Sequence, residues 1–184
     1  MQKFVLSVLG KDRPGIVAQV ASALCSLGCN IEDCSQTILQ TEFAGIFILS
    51  NREGRPLDVI AETLTDRLGA CGLTADVKAM DENGGKTGAK AASPFVVTTM
   101  GPDQIGMIAA ISGALAELAV NIINFKAILR TDMEPEQLMT IFEVDVPVSV
   151  LQRNLKNRLS EVSLQYNLEF TVQHRAIFEA TNKI

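Results

Sequence analysis

Apolar residues between positions 14 and 27 fall at Ile16, Val17, Val20, Ala23, Leu24 and Leu27, one face of a helix of period 3.6. Gln19, Ser22, Ser26 and Asn30 recur at spacings of 3, 4 and 4 and supply its polar stripe. A β-rich run at 3–9 precedes this helix. After Gly28, a helix stop, two more runs at 30–39 and 43–50 flank the polar Gln40-Thr41-Glu42, which reads as a hairpin. A second helix is predicted over 56–71, with Leu57, Ile60, Ala61, Leu64, Leu68 and Cys71 on its stripe. Gly72 ends it, and residues 73–80 return as a strand.

The same order recurs 91 residues later. Gly10-Lys-Asp12-Arg-Pro-Gly15-Ile-Val-Ala18 aligns with Gly101-Pro-Asp103-Gln-Ile-Gly106-Met-Ile-Ala109, and the match runs without a gap to Asn30-Ile31 and Asn121-Ile122, with 9 identities in 22 positions. The second copy predicts strands at 94–100, 121–130, 138–146 and 168–174 and helices at 105–118 and 148–166. Its hairpin, through Thr131 to Gln137, is longer. A repeat of this length means two domains of one fold. The expected organisation is α+β: two ferredoxin-like βαββαβ domains at 1–80 and 94–174, each a four-stranded antiparallel sheet with two helices on one face. Residues 81–93, rich in Gly, Ala and polar side chains, read as a linker. Residues 175–184 are a C-terminal tail or an extension of the last strand.

Composition narrows the function. The chain has 184 residues, 47% hydrophobic and 20% charged, enough apolar material for packed cores. Sixteen basic against 21 acidic residues give a net charge of −5, and neither half carries the positive field that direct nucleic-acid binding needs. The longest uncharged stretch is the amphipathic helix, so no membrane association is expected; the N-terminus lacks a leader pattern and the protein is read as cytoplasmic.

Cys25, Cys29, Cys34 and Cys71 lack metal-ligand spacing. Ala116, Val120 and Phe125 stand where the first three of these fall in the second copy, so buried thiols are expected. Gly85-Lys86-Thr87 mimics the end of a phosphate-binding loop, but Met80 occupies the place of the required earlier glycine. His174 is the single histidine and no nucleophile or zinc motif accompanies it. Glu134 and Glu136 fall in a loop, and Glu143 and Asp145 alternate along a strand, where a metal site is the less economical reading than solvation.

The loop that recurs before the first helix of each copy is the feature that packing does not explain. Its glycines permit a tight turn, and the amides at a helix start favour an anionic group such as a carboxylate. Asp12 and Asp103 stand where a side chain can cap the helix. Asn30 and Asn121 open a strand, although Asn is a poor strand former; an amide there can accept from an ammonium or donate to a ligand. Capping the preceding helix is the plain alternative, which Gly28 already supplies in the first copy and Ala119 does not in the second.

The strand, Gly10-x-Asp12-Arg13-Pro14-Gly15-Ile16-Val-Ala, helix, then Gly28-x-Asn30-Ile31 closely resembles the ACT domain, a regulatory module that binds amino acids. The tandem pair resembles bacterial proteins of the glycine cleavage system transcriptional repressor family. Gln104 and Ile105 depart from the pattern where Arg and Pro stand in the first copy. The resemblance implies a non-catalytic regulatory protein without a cofactor that binds a small amino acid of the glycine or serine class where a helix-1 loop meets a neighbouring domain, bridging the two. The ligand-binding residues it implies are Gly10, Asp12, Arg13, Pro14, Gly15, Ile16, Asn30 and Ile31, and Gly101, Asp103, Gln104, Ile105, Gly106, Met107, Asn121 and Ile122. It further implies association as a homodimer through sheet edges or helices, and a protein partner that reads the change. A structural oligomerisation module without ligand, and a small metal- or carboxylate-dependent enzyme, are the alternatives.

Overall fold

A computed structural model describes residues 2–51, 53–80, 91–132 and 134–181. The chain divides into two compact units at residues 87 and 88. The segment 81–90, which holds most of the expected linker and the Gly85-Lys86-Thr87 sequence, lies outside the described residues; Ala92 and Ser93 already belong to a strand.

The first unit contains β1 (Gln2–Lys11), α1 (Ile16–Ser26), β2 (Cys29–Leu39), β3 (Glu42–Asn51), α2 (Leu57–Gly69) and β4 (Leu73–Ala79). Its sheet has the order β2-β3-β1-β4 and every neighbouring pair is antiparallel. Strand alternation sorts the side chains: Phe4, Leu6 and Val8 of β1 pair with Leu49, Phe47 and Gly45 of β3 on one face. That face packs on Ile16, Val20 and Leu24 of α1 and Ile60, Leu64 and Leu68 of α2, so both helices lie on the same side. Burial of each large side chain contributes about 1.5–3 kcal/mol.

The second unit repeats the plan with β5 (Ala92–Pro102), α3 (Met107–Glu117), β6 (Asn121–Arg130), β7 (Gln137–Pro147), α4 (Gln152–Tyr166) and β8 (Glu169–His174), in the sheet order β6-β7-β5-β8. These are the two four-stranded α+β units that the periodicity predicts. Helix starts are the main shift in boundary. α1 and α3 begin at Ile16 and Met107, two residues later than expected, because Gly15 and Gly106 take left-handed backbone at φ 94° and 92°. Ala119 adopts φ 54° where Gly28 has 70°, so it closes its helix in the same way despite its Cβ, against expectation.

Residues 175–181 form neither a strand extension nor an irregular tail but a short helix, α5 (Arg175–Thr181). Arg175 reaches Glu143 at 3.5 Å on the sheet face opposite α3 and α4, and Val96, the register partner of Glu143, is 1% exposed there although it stands outside the core between sheet and helices. The His174 ring packs edge-on against Phe95 and its Nδ1 accepts from the Ala176 amide at 3.3 Å.

Burial of the thiols differs from expectation. Cys29 is buried, but Cys25, Cys34 and Cys71 are exposed. β2 is an edge strand, so side chains on it find cover only near the core, and Phe125, the second copy's counterpart of Cys34, is itself 40% exposed.

Candidate functional site

The loop between β1 and α1 is built by three close contacts. A Cβ on Gly10 would stand 2.6 Å from Leu73 Cδ2 and 3.2 Å from the Gly72 carbonyl, so this glycine lets β1 meet the start of β4. Gly101 serves the same purpose against Leu168 and the Asn167 carbonyl, at 2.6 and 2.8 Å. Both act in packing. The Asp12 amide donates to the Thr41 carbonyl at 2.7 Å, tying the loop to the β2–β3 turn. Arg13 Nη2 donates to Gln19 Oε1 and to the Cys71 carbonyl, each at 2.9 Å, so its guanidinium braces the loop against α1 and the end of α2.

The expected carboxylate caps do not form. Gly15 and Gly106 occupy the N-cap positions of α1 and α3 and supply no side-chain cap bond, since left-handed glycine displaces Asp12 and Asp103 from the capping position. Neither helix has an acidic residue in its first turn. In α1 the first bond of the helical pattern runs from the Gln19 amide to the Gly15 carbonyl, which leaves the Ile16, Val17 and Ala18 amides ahead of it at the positive end of the helix.

These amides face a cleft of about 310 Å³ lined by Asp12, Arg13, Gly15, Ile16, Val17 and Ala18 on one side and Gln36, Ile38 and Phe43 on the other. Ile16 is buried in the core, so it offers its backbone only; Pro14 is exposed beside the cleft. Larger hollows of about 370 Å³ between α1 and α2 and about 440 Å³ beside the end of α4 lack any such glycine-bounded helix start. Gln36, Ile38 and Phe43 did not stand out in the sequence. Gln36 pairs with Gly45 on the helix-facing side of the sheet because the β2–β3 register shifts between Ile31 and Asp33, which no feature of the sequence marks.

Asn30 is not part of this cleft within one copy. It pairs with Ser50, which pairs with Lys3, whereas the loop follows Lys11 at the other end of β1. Eight residues of strand separate the two levels, about 26 Å at ~3.3 Å per residue. Its Nδ2 donates to the Ile31 carbonyl at 3.3 Å, and Ile31 packs against the core. Asn121 likewise pairs with Asp145 at the level of Pro94, far along β5 from the loop after Pro102, and Ile122 joins its own core.

The second loop keeps the architecture of the first. Gln104 Nε2 donates to the Tyr166 carbonyl at 3.0 Å, two residues before Leu168 as Cys71 is two before Leu73. Gln therefore replaces Arg as the brace. Met107 is buried, Asp103 is exposed and Ile105 is fully exposed.

Among the described residues no three His, Cys, Asp or Glu side chains are grouped to hold a metal ion. Glu143 accepts from Asn124 Nδ2 at 2.8 Å and pairs with Arg175. No described helix is long and apolar enough to cross a membrane.

The family model for the ACT domain matches residues 2–78. A UPF0237 protein of Methanopyrus kandleri is 39% identical over 85 residues, 45% of this chain and 91% of that protein. A UPF0237 protein of Streptococcus pneumoniae is 37% identical over 76 residues, covering 41% and 82%. The glycine cleavage system transcriptional repressor of Escherichia coli is 48% identical over 46 residues, 25% of this chain and 24% of that protein. A crystal structure of an unknown protein from Galdieria sulphuraria shares the fold over 94% of this chain and 98% of its own, with a TM-score of 0.75 at 22% identity. One assigned to a glycine cleavage system transcriptional repressor does so over 94% and 96%, with a TM-score of 0.68 at 19% identity. With the glycine-bounded loop, the βαββαβ order and these relatives in agreement, the chain belongs to the ACT-domain family.

Proposed function

We propose that this chain is a non-catalytic regulatory protein that binds a small amino acid of the glycine or serine class in the cleft at the start of α1 and signals its presence to a protein partner in the cytoplasm. The observation that carries this reading is the facing of the uncapped α1 amides by Gln36 across the cleft. A carboxylate suits the amides, because the helix end is positive and the first turn supplies no acid of its own. The Gln36 carboxamide can accept from an ammonium and donate to a hydroxyl. No bond need be broken, and a ligand that favours one arrangement of the protein over another shifts that equilibrium by its differential affinity.

Asn30 enters this reading only through a second copy. β2 is an edge strand of its sheet, and a homodimer paired antiparallel along it with its two-fold axis beside Asp33 and Cys34 would bring Asn30 of the second copy to the level of Gln36 and Ile38. The relation to the glycine cleavage repressor of Escherichia coli supports transcriptional control of glycine cleavage as the setting. With a net charge of −5 the chain would act on a DNA-binding partner and not on DNA itself.

Thermal unfolding against each of the twenty amino acids at millimolar concentration tests the proposal. A ligand of the folded state stabilises by about 2.7 kcal/mol at a hundredfold excess over Kd. A rise confined to one or two small amino acids, lost in Gly15→Val and Gln36→Ala, is expected. No rise with any of them would favour an oligomerisation module without ligand.

A further inference from the structure

We propose that the tandem is functionally asymmetric: each chain holds one amino-acid site, between the start of α1 and Gln36, and the corresponding surface of the second copy does not bind. The inference rests on the reading of the α1 cleft given above.

The two loops have the same backbone. Gly15 and Gly106 differ by 2° in φ, and Arg13 and Gln104 brace the loops to equivalent carbonyls at 2.9 and 3.0 Å. What differs is the side of the cleft that faces the helix start. Gln36 pairs with Gly45, and the residue at its place in the second copy is Ala127, paired with Thr140. Ala127 has no group to receive an ammonium or to meet a hydroxyl, so the polar partner of the helix amides is gone.

The rim has changed as well. In the first copy a two-residue turn, Gln40-Thr41, joins β2 to β3, and its Thr41 carbonyl holds the Asp12 amide at 2.7 Å. In the second copy six residues separate Arg130 from Gln137, and Arg130 is committed to Asp132 through two bonds at 2.9 and 2.8 Å. Ile105 projects fully exposed where Pro14 stands in the first copy. Ala127 and the longer turn change the strand side of the equivalent surface and Ile105 changes its loop side, and each makes it less suited to a small zwitterion. The glycines survive because Gly101 and Gly106 serve packing and the turn, which the fold needs whether or not a ligand binds.

Isothermal titration of the full chain with glycine and with L-serine tests the proposal. One molecule bound per chain is expected. Gln36→Ala should weaken binding roughly ten- to a hundredfold, the loss of a hydrogen bond to a charged group. Ala127→Glu, which sets a carboxylate against the start of α3, should leave both affinity and stoichiometry unchanged. Two molecules per chain, or binding lost in Ala127→Glu and kept in Gln36→Ala, would overturn the asymmetry while leaving amino-acid binding intact. Absence of binding in the unaltered chain would overturn the functional reading itself and this inference with it.

Discussion

Arg13 donates through Nη2 to the carbonyl of Cys71, 58 residues further along the chain, at 2.9 Å. In the second copy Gln104 makes the same bond to Tyr166 with a neutral amide. The brace therefore needs a donor of the right reach and not a charge. Arg13→Gln should lie within about 0.5 kcal/mol of the unaltered protein, and Arg13→Ala should cost about 1 kcal/mol, the usual net value of a hydrogen bond. Urea unfolding of the two variants checks this; equal losses would contradict it.

Thr99 and Thr140 share a hydrogen bond of 2.6 Å inside the second core, where the first copy places Val8 and Gly45. Replacing one partner strands a buried hydroxyl, whereas replacing both removes the polar demand. Thr99→Val alone should cost about 1–3 kcal/mol, and the double change to valine should cost less than the single one. A double-mutant cycle in guanidinium chloride measures the difference.

Much of this architecture was legible in the chain. The apolar stripes of α1 and α2 and the 91-residue repeat give both units, since helix period and strand alternation survive in each copy. The loop was equally visible through Gly10, Asp12 and Gly15. Its internal duties were not: that Arg13 spans to Cys71 and that Gly10 makes room for Leu73 depend on contacts between distant segments, for which one sequence holds no local signal. That Asn30 stands away from the loop of its own unit was hidden for the same reason. It lies 18 residues from Asp12 in sequence and the antiparallel sheet sets it at the opposite end. Gln36 was hidden as well: counted in twos from Ile31 it falls on the outer face, and only the register shift between Ile31 and Asp33 turns it to the helix side.

The thiols should divide three to one. Burial pushes the Cys29 thiol up in pKa, an effect that outweighs the lowering by nearby Arg55, while Cys25, Cys34 and Cys71 are exposed. Reaction with a disulfide reagent at mildly alkaline pH should modify three cysteines rapidly in the folded protein and the fourth only on unfolding. Rapid reaction of all four would contradict this burial.

Hydrogen bonding from Arg130 holds the Asp132 carboxyl at about 2, below its ordinary 3.8. A depressed carboxylate favours the fold above its unfolded pKa and loses that contribution as pH falls through the folded value. The contribution of this pair to the β6–β7 hairpin should therefore be complete above about pH 4 and vanish towards pH 2. A carbon-detected titration of the Asp132 carboxyl should show a midpoint near 2 that returns to the ordinary value in Arg130→Ala.

The most direct test of amino-acid binding is a ¹⁵N amide titration of the full chain with glycine and L-serine. Shifts centred on the Val17 and Ala18 amides and the Gln36 side chain, with the corresponding Ile108, Ala109 and Ala127 amides unmoved, are the predicted result. Shifts absent from the start of α1, or centred on another surface, would contradict the account.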